Sequence, residues 1–377
     1  MNKDIFVHDL EKLVGFPTLT GQPEGFQEAM SFIQKQISPE AHVQLLANNG
    51  EPILLACNKP TKSPDVCYLV HVDVVTAQPH QFSMQVRDGV AYGRGVSDMK
   101  YSIPVGYTLL NELIKSNSEL SFMLAITSDE ERGGFKGAGY LADEYQLSPK
   151  LLIVPDGGDN FVLINKSKGV CHLRVDMQGK PAHSSRPWLG ENALVPIVKL
   201  ANQLLGEYEN ANNNEGWHTT MNIGKLEGGA SINQVAAEAH LDLDFRFPPE
   251  HDSVDSLTEK ITALAQKVNP RLSIEVMTTG VAPFTDLNHP ALRLFAQTLA
   301  QKIGRDVKTE GGHGSHDGRH FNKYGVPFIM TKPEGGDIHG DNEYIHIDSV
   351  ILFYEALLEF LNNYTLSENK PLAVEVQ

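Results

Sequence analysis

Cysteine is scarce. Only Cys57, Cys67 and Cys171 occur in 377 residues, far apart and with no CxxC pair. That excludes a disulfide framework and a thiolate metal site, and leaves buried, reduced thiols in a cytoplasmic protein as the expectation. Positive charge is also short: 31 Lys and Arg stand against 47 Asp and Glu, a formal net charge of -16. A broad basic face for nucleic acid or anionic lipid is therefore not expected, although a local cationic pocket stays open. No run approaches the ~18 apolar residues of a membrane span. The opening MNKDIFVHDLEKLVGF holds no apolar stretch of the length a secretory signal needs. Tandem repeats are absent too. What the chain does have is 41% hydrophobic residues and enough length to favour two domains over one.

Strand and helix patterns alternate in the first part. VCYLVHVDVV (66–75), SFMLAIT (121–127) and LLIV (151–154) read as buried strands. YSIPVGYTLLNELIKS (101–116) and FKGAGYLADEY (135–145) read as helices between them. This predicts an α/β domain whose mostly parallel sheet is flanked by helices on both faces. From about residue 168 the order becomes strand, helix, strand, strand, helix, strand, which describes an inserted ferredoxin-like α+β unit. Helix and strand alternation resumes with PALRLFAQTLAQKIG, VPFIM and DSVILFYEALLEFLNNY. The expected division is 1–166 with 281–377 for the first domain and 167–280 for the insert. The tail LSENKPLAVEVQ (366–377) is expected to be frayed.

Ionisable residues gather just past the apolar strands. His71 and Asp73 follow YLV, Asp98 lies in GRGVSDMK, Glu130 and Glu131 follow LAIT, Asp156 follows LLIVP, and His339 lies in GGDIHGDNEY after VPFIM. Any one of them reads equally well as a cap, a turn residue or a solvated surface group. Adjacent carboxylates at a strand end are costly, however, because they repel and resist desolvation. Ligands of open α/β sheets sit beyond the C-terminal strand ends. Imidazoles and carboxylates delivered together there suit a pair of divalent cations, Zn²⁺ with Mn²⁺ or Co²⁺ as substitutes.

In this order HVDVV, GRGVSDMK, TSDEERGG, PDGG and HGDNEY resemble the M20 family of dinuclear zinc metallopeptidases. The resemblance covers almost the whole chain. It implies two Zn²⁺ per subunit, with His71 and Asp156 as terminal ligands of one, Glu131 and His339 of the other, and Asp98 bridging both. It implies that Asp73 fixes the His71 tautomer, that Glu130 is a general base rather than a ligand, and that the Asp98–Met99 peptide is cis. The insert would serve as lid and dimerisation domain of a homodimer. His183, in AHSSRPWLGENA, would steady the oxyanion in the partner subunit's site. Asn233 and Arg246 would bind substrate, Arg246 through a carboxylate.

GGHGSHDGRHF (311–321) is similar to a substrate-side loop of the family, with Asp317 and Arg319 at matching positions. Here His316 replaces the usual serine and the stretch is longer. The three histidines of this segment also raise a third metal as an alternative. Tyr101 departs from the glycine that often follows "DMK". The expected activity is hydrolysis of an amide in a small amino-acid-like substrate, an N-acyl amino acid or N-acyl-diamino acid. Dipeptide or carboxypeptidase cleavage in the same family is the alternative. The M28 aminopeptidases use a similar ligand order but lack a reason for the insert, and an inactive binding homologue would have lost the base or a ligand, all of which are present.

Overall fold

A computed structural model describes residues 1–19 and 22–368. The chain divides into two compact units: Met1–Lys166 with Phe284–Gly312 and His316–Gln377, and Ser167–Pro283 with His313–Ser315.

The first unit is built on a six-stranded sheet in the spatial order His42–Asn48, Glu51–Cys57, Phe122–Thr127, Val66–His71, Leu151–Ile153, Phe328–Ile329. The last four run parallel, and the first two add an antiparallel edge. Side chains along a strand alternate between faces, and here both faces are covered. Val66, Tyr68, Val70, Phe122, Leu124 and Ile126 join the core formed with the helices Lys3–Gly15, Ser102–Lys115 and Ile347–Glu368. Cys67, Leu69, Met123 and Ala125 face a second cluster with Leu141, Phe321 and Phe328. All three cysteines are buried thiols.

Val66–His71 is shorter than the sequence suggests, because residues past His71 leave the ladder to build the site. FKGAGYLADEY is not one helix. A π-helical turn, Phe135–Gly139, leads into a single α-turn, Tyr140–Asp143. A Cβ on Gly137 would lie 2.4 Å from Asp129 Oδ1, so the segment packs too closely on the preceding loop to wind regularly. The last helix runs to Glu368, into the tail expected to fray, and residues 369–377 lie outside the described residues. Among the described residues no helix is long and apolar enough to cross a membrane.

The second unit is a four-stranded antiparallel sheet in the order Thr220–Gly228, Glu238–Phe247, Gly169–Gln178, Ser273–Gly280. Numbered by sequence this is 2-3-1-4, the ferredoxin-like arrangement. Its core joins Leu173, Val175, Leu241, Leu243 and Phe245 to Ile197, Leu200 and Leu204 of Leu194–Asn213 and to Leu257 and Ile261 of Val254–Val268. The opposite face of the sheet is lined with charge, as the alternation along Gly169–Gln178 and Glu238–Phe247 requires.

Candidate functional site

Parallel strands end together, so their C-terminal loops meet at one edge. His71 closes its strand opposite Thr127. Asp156 follows Leu151–Ile153, and His339 lies in the loop beyond Phe328–Ile329. Two groups of ligand-type atoms result, His71 with Glu130 and Asp156, and Asp98 with Glu131 and His339. Asp98 joins them. Its Oδ1 lies 3.2 Å from His71 Nε2 and its Oδ2 lies 3.1 Å from His339 Nε2. His71 Nε2 is also 3.6 Å from Asp156 Oδ1, and His339 Nε2 is 3.2 Å from Glu131 Oε2. The Asp98–Met99 peptide is cis.

Asp73 organises this edge from behind. Its backbone carbonyl lies 3.0 Å from His71 Nδ1. Its carboxylate accepts from the backbone N–H of Glu130 at 3.3 Å and of Glu131 at 3.0 Å. One buried acid thus orients both a ring and the loop carrying the two glutamates.

The charges show what is missing from a purely protein account. Burial pushes Asp156 up to about 6, with the Asp98 charge adding to it. Burial, then the Asp156 charge, holds Glu130 well above the usual carboxyl range. Burial opposes charge on Asp98 too, but hydrogen bonds with His339 and His71 hold it well below that range. Burial likewise disfavours the His71 imidazolium, yet Asp156, Asp73 and Asp98 hold its pKa well above normal. His339 is raised to about 10 by hydrogen bonds with Asp98 and Glu131. The carboxylates demand positive charge at these places.

A cation fits as well as a proton does. Two donors on one tetrahedral zinc, each ~2.0–2.1 Å away, stand roughly 3.3 Å apart. The imidazole–carboxylate distances of 3.1–3.6 Å bracket that value. Glu131 Oε1 is buried without a hydrogen-bond partner, a lone pair awaiting one.

Several neighbours carried no signal as site residues in the sequence. Lys332, fully buried with Nζ 3.1 Å from Asp159, lowers the pKa of both Asp98 and Asp156 by its charge. Tyr101, the departure noted above, is buried and donates to Pro155 O at 2.8 Å, next to Asp156. Arg94 and Glu343 form a buried pair at 2.7 Å between the Asp98 and His339 turns.

Asp317 and Arg319 both turn inward against the acidic loop. Thr127 Oγ1 donates to Asp317 Oδ2 at 2.9 Å, and Arg319 donates to Gly133 O. Burial, with the charge of Asp129, brings Asp317 up to about 7. The histidines of this segment have separate surroundings. His313 meets the Trp217 ring edge-on, His316 packs on Phe328, and His320 Nε2 lies 2.9 Å from Gly133 O. None belongs to a three-ligand group among the described residues.

In the second unit, His183 and Asn233 sit on facing segments, where Ser184 N donates to Asn233 O at 3.0 Å. Both side chains are exposed. Arg246 is held by Asp244 two residues away, with Nε to Oδ1 at 2.9 Å and Nη2 to Oδ2 at 3.2 Å.

Comparison with known proteins places this geometry. The chain is 26% identical over 367 residues to a succinyl-diaminopimelate desuccinylase of Marinobacter nauticus, covering 92% of this chain and 96% of the relative. A tripeptidase structure from Staphylococcus aureus superposes with TM-score 0.77 at 21% identity, covering 97% of this chain and 99% of that one. An M20 family metallo-carboxypeptidase from Sulfolobus solfataricus does so with TM-score 0.78 at 18% identity, covering 96% and 99%. At these identities the structural likeness is one of fold. The family model for peptidase family M20/M25/M40 matches residues 67–363, a span that runs from the first ligand strand through the insert to beyond His339. The chain therefore belongs to peptidase family M20/M25/M40, whose members are metal-dependent hydrolases of amide and peptide bonds.

Proposed function

We propose that the protein hydrolyses the amide of a small N-acyl amino acid or N-acyl-diamino acid, with a pair of zinc ions held by His71, Asp98, Glu131, Asp156 and His339. The observation that carries this reading is Asp98, one carboxylate whose two oxygens each face a different imidazole. His71 and Asp156 would hold one cation, Glu131 and His339 the other, and Asp98 both. Co²⁺ or Mn²⁺ could stand in for zinc. When bound, the pair supplies Lewis acidity toward the carbonyl oxygen and lowers the pKa of the attacking water.

The residues do the rest. Glu130 lies in one group with His71 and Asp156, beside the carboxylates that would hold the cations, where a carboxylate can accept a proton from the attacking water. It takes a proton as water adds to the amide carbon and returns it to the leaving nitrogen as the C–N bond breaks. Asp73, bonded to the backbone of Glu130 and Glu131, keeps that carboxylate aimed. His183 accepts from Ser185 N at 3.2 Å through Nδ1, which also lies 2.8 Å from Ser185 Oγ, so Nε2 would be the ring atom that donates to an oxyanion. Arg246 would pair with a substrate carboxylate, aided by Asn233. The deacylase reading draws on the desuccinylase relative, which matches nearly end to end.

We assign the active form as a homodimer formed through the second unit. Val195, Val198 and Leu205 are about half exposed on one helix, Leu194–Asn213. Beside it the strand Thr220–Gly228 is an outer edge with no partner strand on one side among the described residues.

The test is turnover by metal-free and zinc-loaded protein on a panel of N-acyl amino acids, N-acyl-diamino acids and dipeptides, with Glu130→Gln as control. Zinc-dependent release of an acyl group supports the proposal. Release only from dipeptides would assign the exopeptidase activity. Zinc binding with no turnover of any amide would make it a binding protein.

A further inference from the structure

The turn carrying Asp98 and the turn carrying His339 come from segments some 240 residues apart, and something must hold them in register. Glu343 does so from one side. It is fully buried, and the backbone of the Asp98 turn wraps its carboxylate. Oε1 accepts from Ser97 N at 2.9 Å and from Asp98 N at 3.0 Å. Oε2 accepts from Gly95 N at 2.9 Å and from Arg94 Nη1 at 2.7 Å. Four donors from a single five-residue turn converge on one side chain.

Arg94 returns the connection. Its Nη2 donates to the backbone carbonyl of His339 at 3.1 Å. His339 is a non-glycine residue at φ +64°, a conformation that persists only where the surroundings enforce it. Its ring is half exposed, so packing does not aim it. The carbonyl held by Arg94 is the fixed point from which that ring reaches Asp98 and Glu131.

We infer that Arg94 and Glu343 act as a pair of positioning residues that lock the Asp98 turn to the His339 turn, so that the cation between Asp98, Glu131 and His339 depends on them. This rests on the metal reading proposed above. Neither residue is a ligand, and a buried ion pair is weak support for stability in itself. Its specific product here is the direction of two backbone groups. His71 and Asp156 are oriented independently, by Asp73 and by the Tyr101 hydroxyl on Pro155 O. The pair should therefore matter to one cation more than to the other.

The experiment titrates Zn²⁺ into apoprotein against a chelator of known affinity, counts bound zinc after dialysis, and follows the fold by circular dichroism and thermal unfolding. Arg94→Lys keeps a positive charge beside Glu343 but has one ammonium, which does not span both Glu343 and His339. It is expected to fold, to bind the first zinc as wild type does, and to bind the second about 10–100-fold more weakly. The double variant Arg94→Met/Glu343→Leu leaves no buried charge unpaired but also frees the Asp98 turn, so it is expected to weaken both zincs, the second more than the first, and the inference stays testable if Arg94→Lys does not fold. Unchanged affinity for both zincs, or equal loss of both, would overturn the inference. Wild-type protein that binds no zinc would overturn the metal reading instead, before any variant is compared.

Discussion

Glu130 and Glu131 are neighbours with different work. Glu131 faces His339, while Glu130 shares a group with His71 and Asp156 and has its carboxyl raised first by burial and then by the charge of Asp156. Glu130→Gln keeps the shape and removes the proposed base. Turnover is expected to fall by about 10²–10⁴-fold or more, with zinc stoichiometry unchanged. Loss of zinc together with activity would make Glu130 a ligand. His316 makes a different prediction, one of stability. Burial first, then the charges of Arg319 and His320, lowers its pKa to about 3, and neither ring nitrogen has a partner. The folded ring stays neutral while the unfolded chain takes up a proton below about 6.5. Its contribution is full above that pH and is lost as pH falls toward about 3. Between pH 7 and pH 5 wild type should lose about 2 kcal/mol more than His316→Leu, by the linkage slope of ~1.4 kcal/mol per pH unit. Urea midpoints at the two pH values measure this, and a parallel decline of both proteins would refute it.

At the scale of elements, the loop Asp129–Gly134 is held between the sheet edge and the segment 316–321. Gly134 sits at φ +64°, where a Cβ would lie 1.8 Å from Asp317 Oδ1. Gly134→Ala must displace either that segment or the glutamates. We expect turnover to fall by about 10²-fold, the effect of misplacing a catalytic group by about an ångström. Gly304→Ala is the control, since Gly304 has φ +68° but nothing within 4 Å of a Cβ. It should cost stability alone, and equal kinetic losses in both would show that backbone strain, not collision, is responsible. The same elements show what a sequence discloses. Val66–His71 and Phe122–Thr127 were legible because burial on both faces writes a continuous apolar run. The insert was legible because its strands alternate, as in the burial of Gly169–Gln178. The edge strand His42–Asn48 is half exposed and carries no such pattern. The contacts of Asp317 and Arg319 with Thr127 and Gly133 were not legible, because a motif records residue types, not the side of a loop to which they turn. Arg94 and Glu343 escaped notice because a pairing across 249 positions leaves no local trace.

At the scale of the whole molecule the stoichiometry of the site becomes testable. His183 lies in the second unit, exposed, with Nδ1 turned to Ser185. The proposed ligand residues and Glu130 lie in the first. If each subunit lends His183 to its partner's site, two crippled chains can mend one another. A Glu130→Gln chain still carries an intact His183, and a His183→Ala chain still carries an intact Glu130. Co-expressed in equal amounts, about half of the dimers are mixed, and in each of those one of the two sites has both residues. Activity should then recover to roughly a quarter of wild type, while either variant alone stays low. No recovery, with mixed dimers confirmed by differential tags, would place His183 in its own chain's site. Val198→Asp puts a charge on the exposed apolar face of Leu194–Asn213 and should shift sedimentation toward monomer. In that variant the complementation should vanish with the dimer, because the borrowed histidine then has no route to the site that needs it.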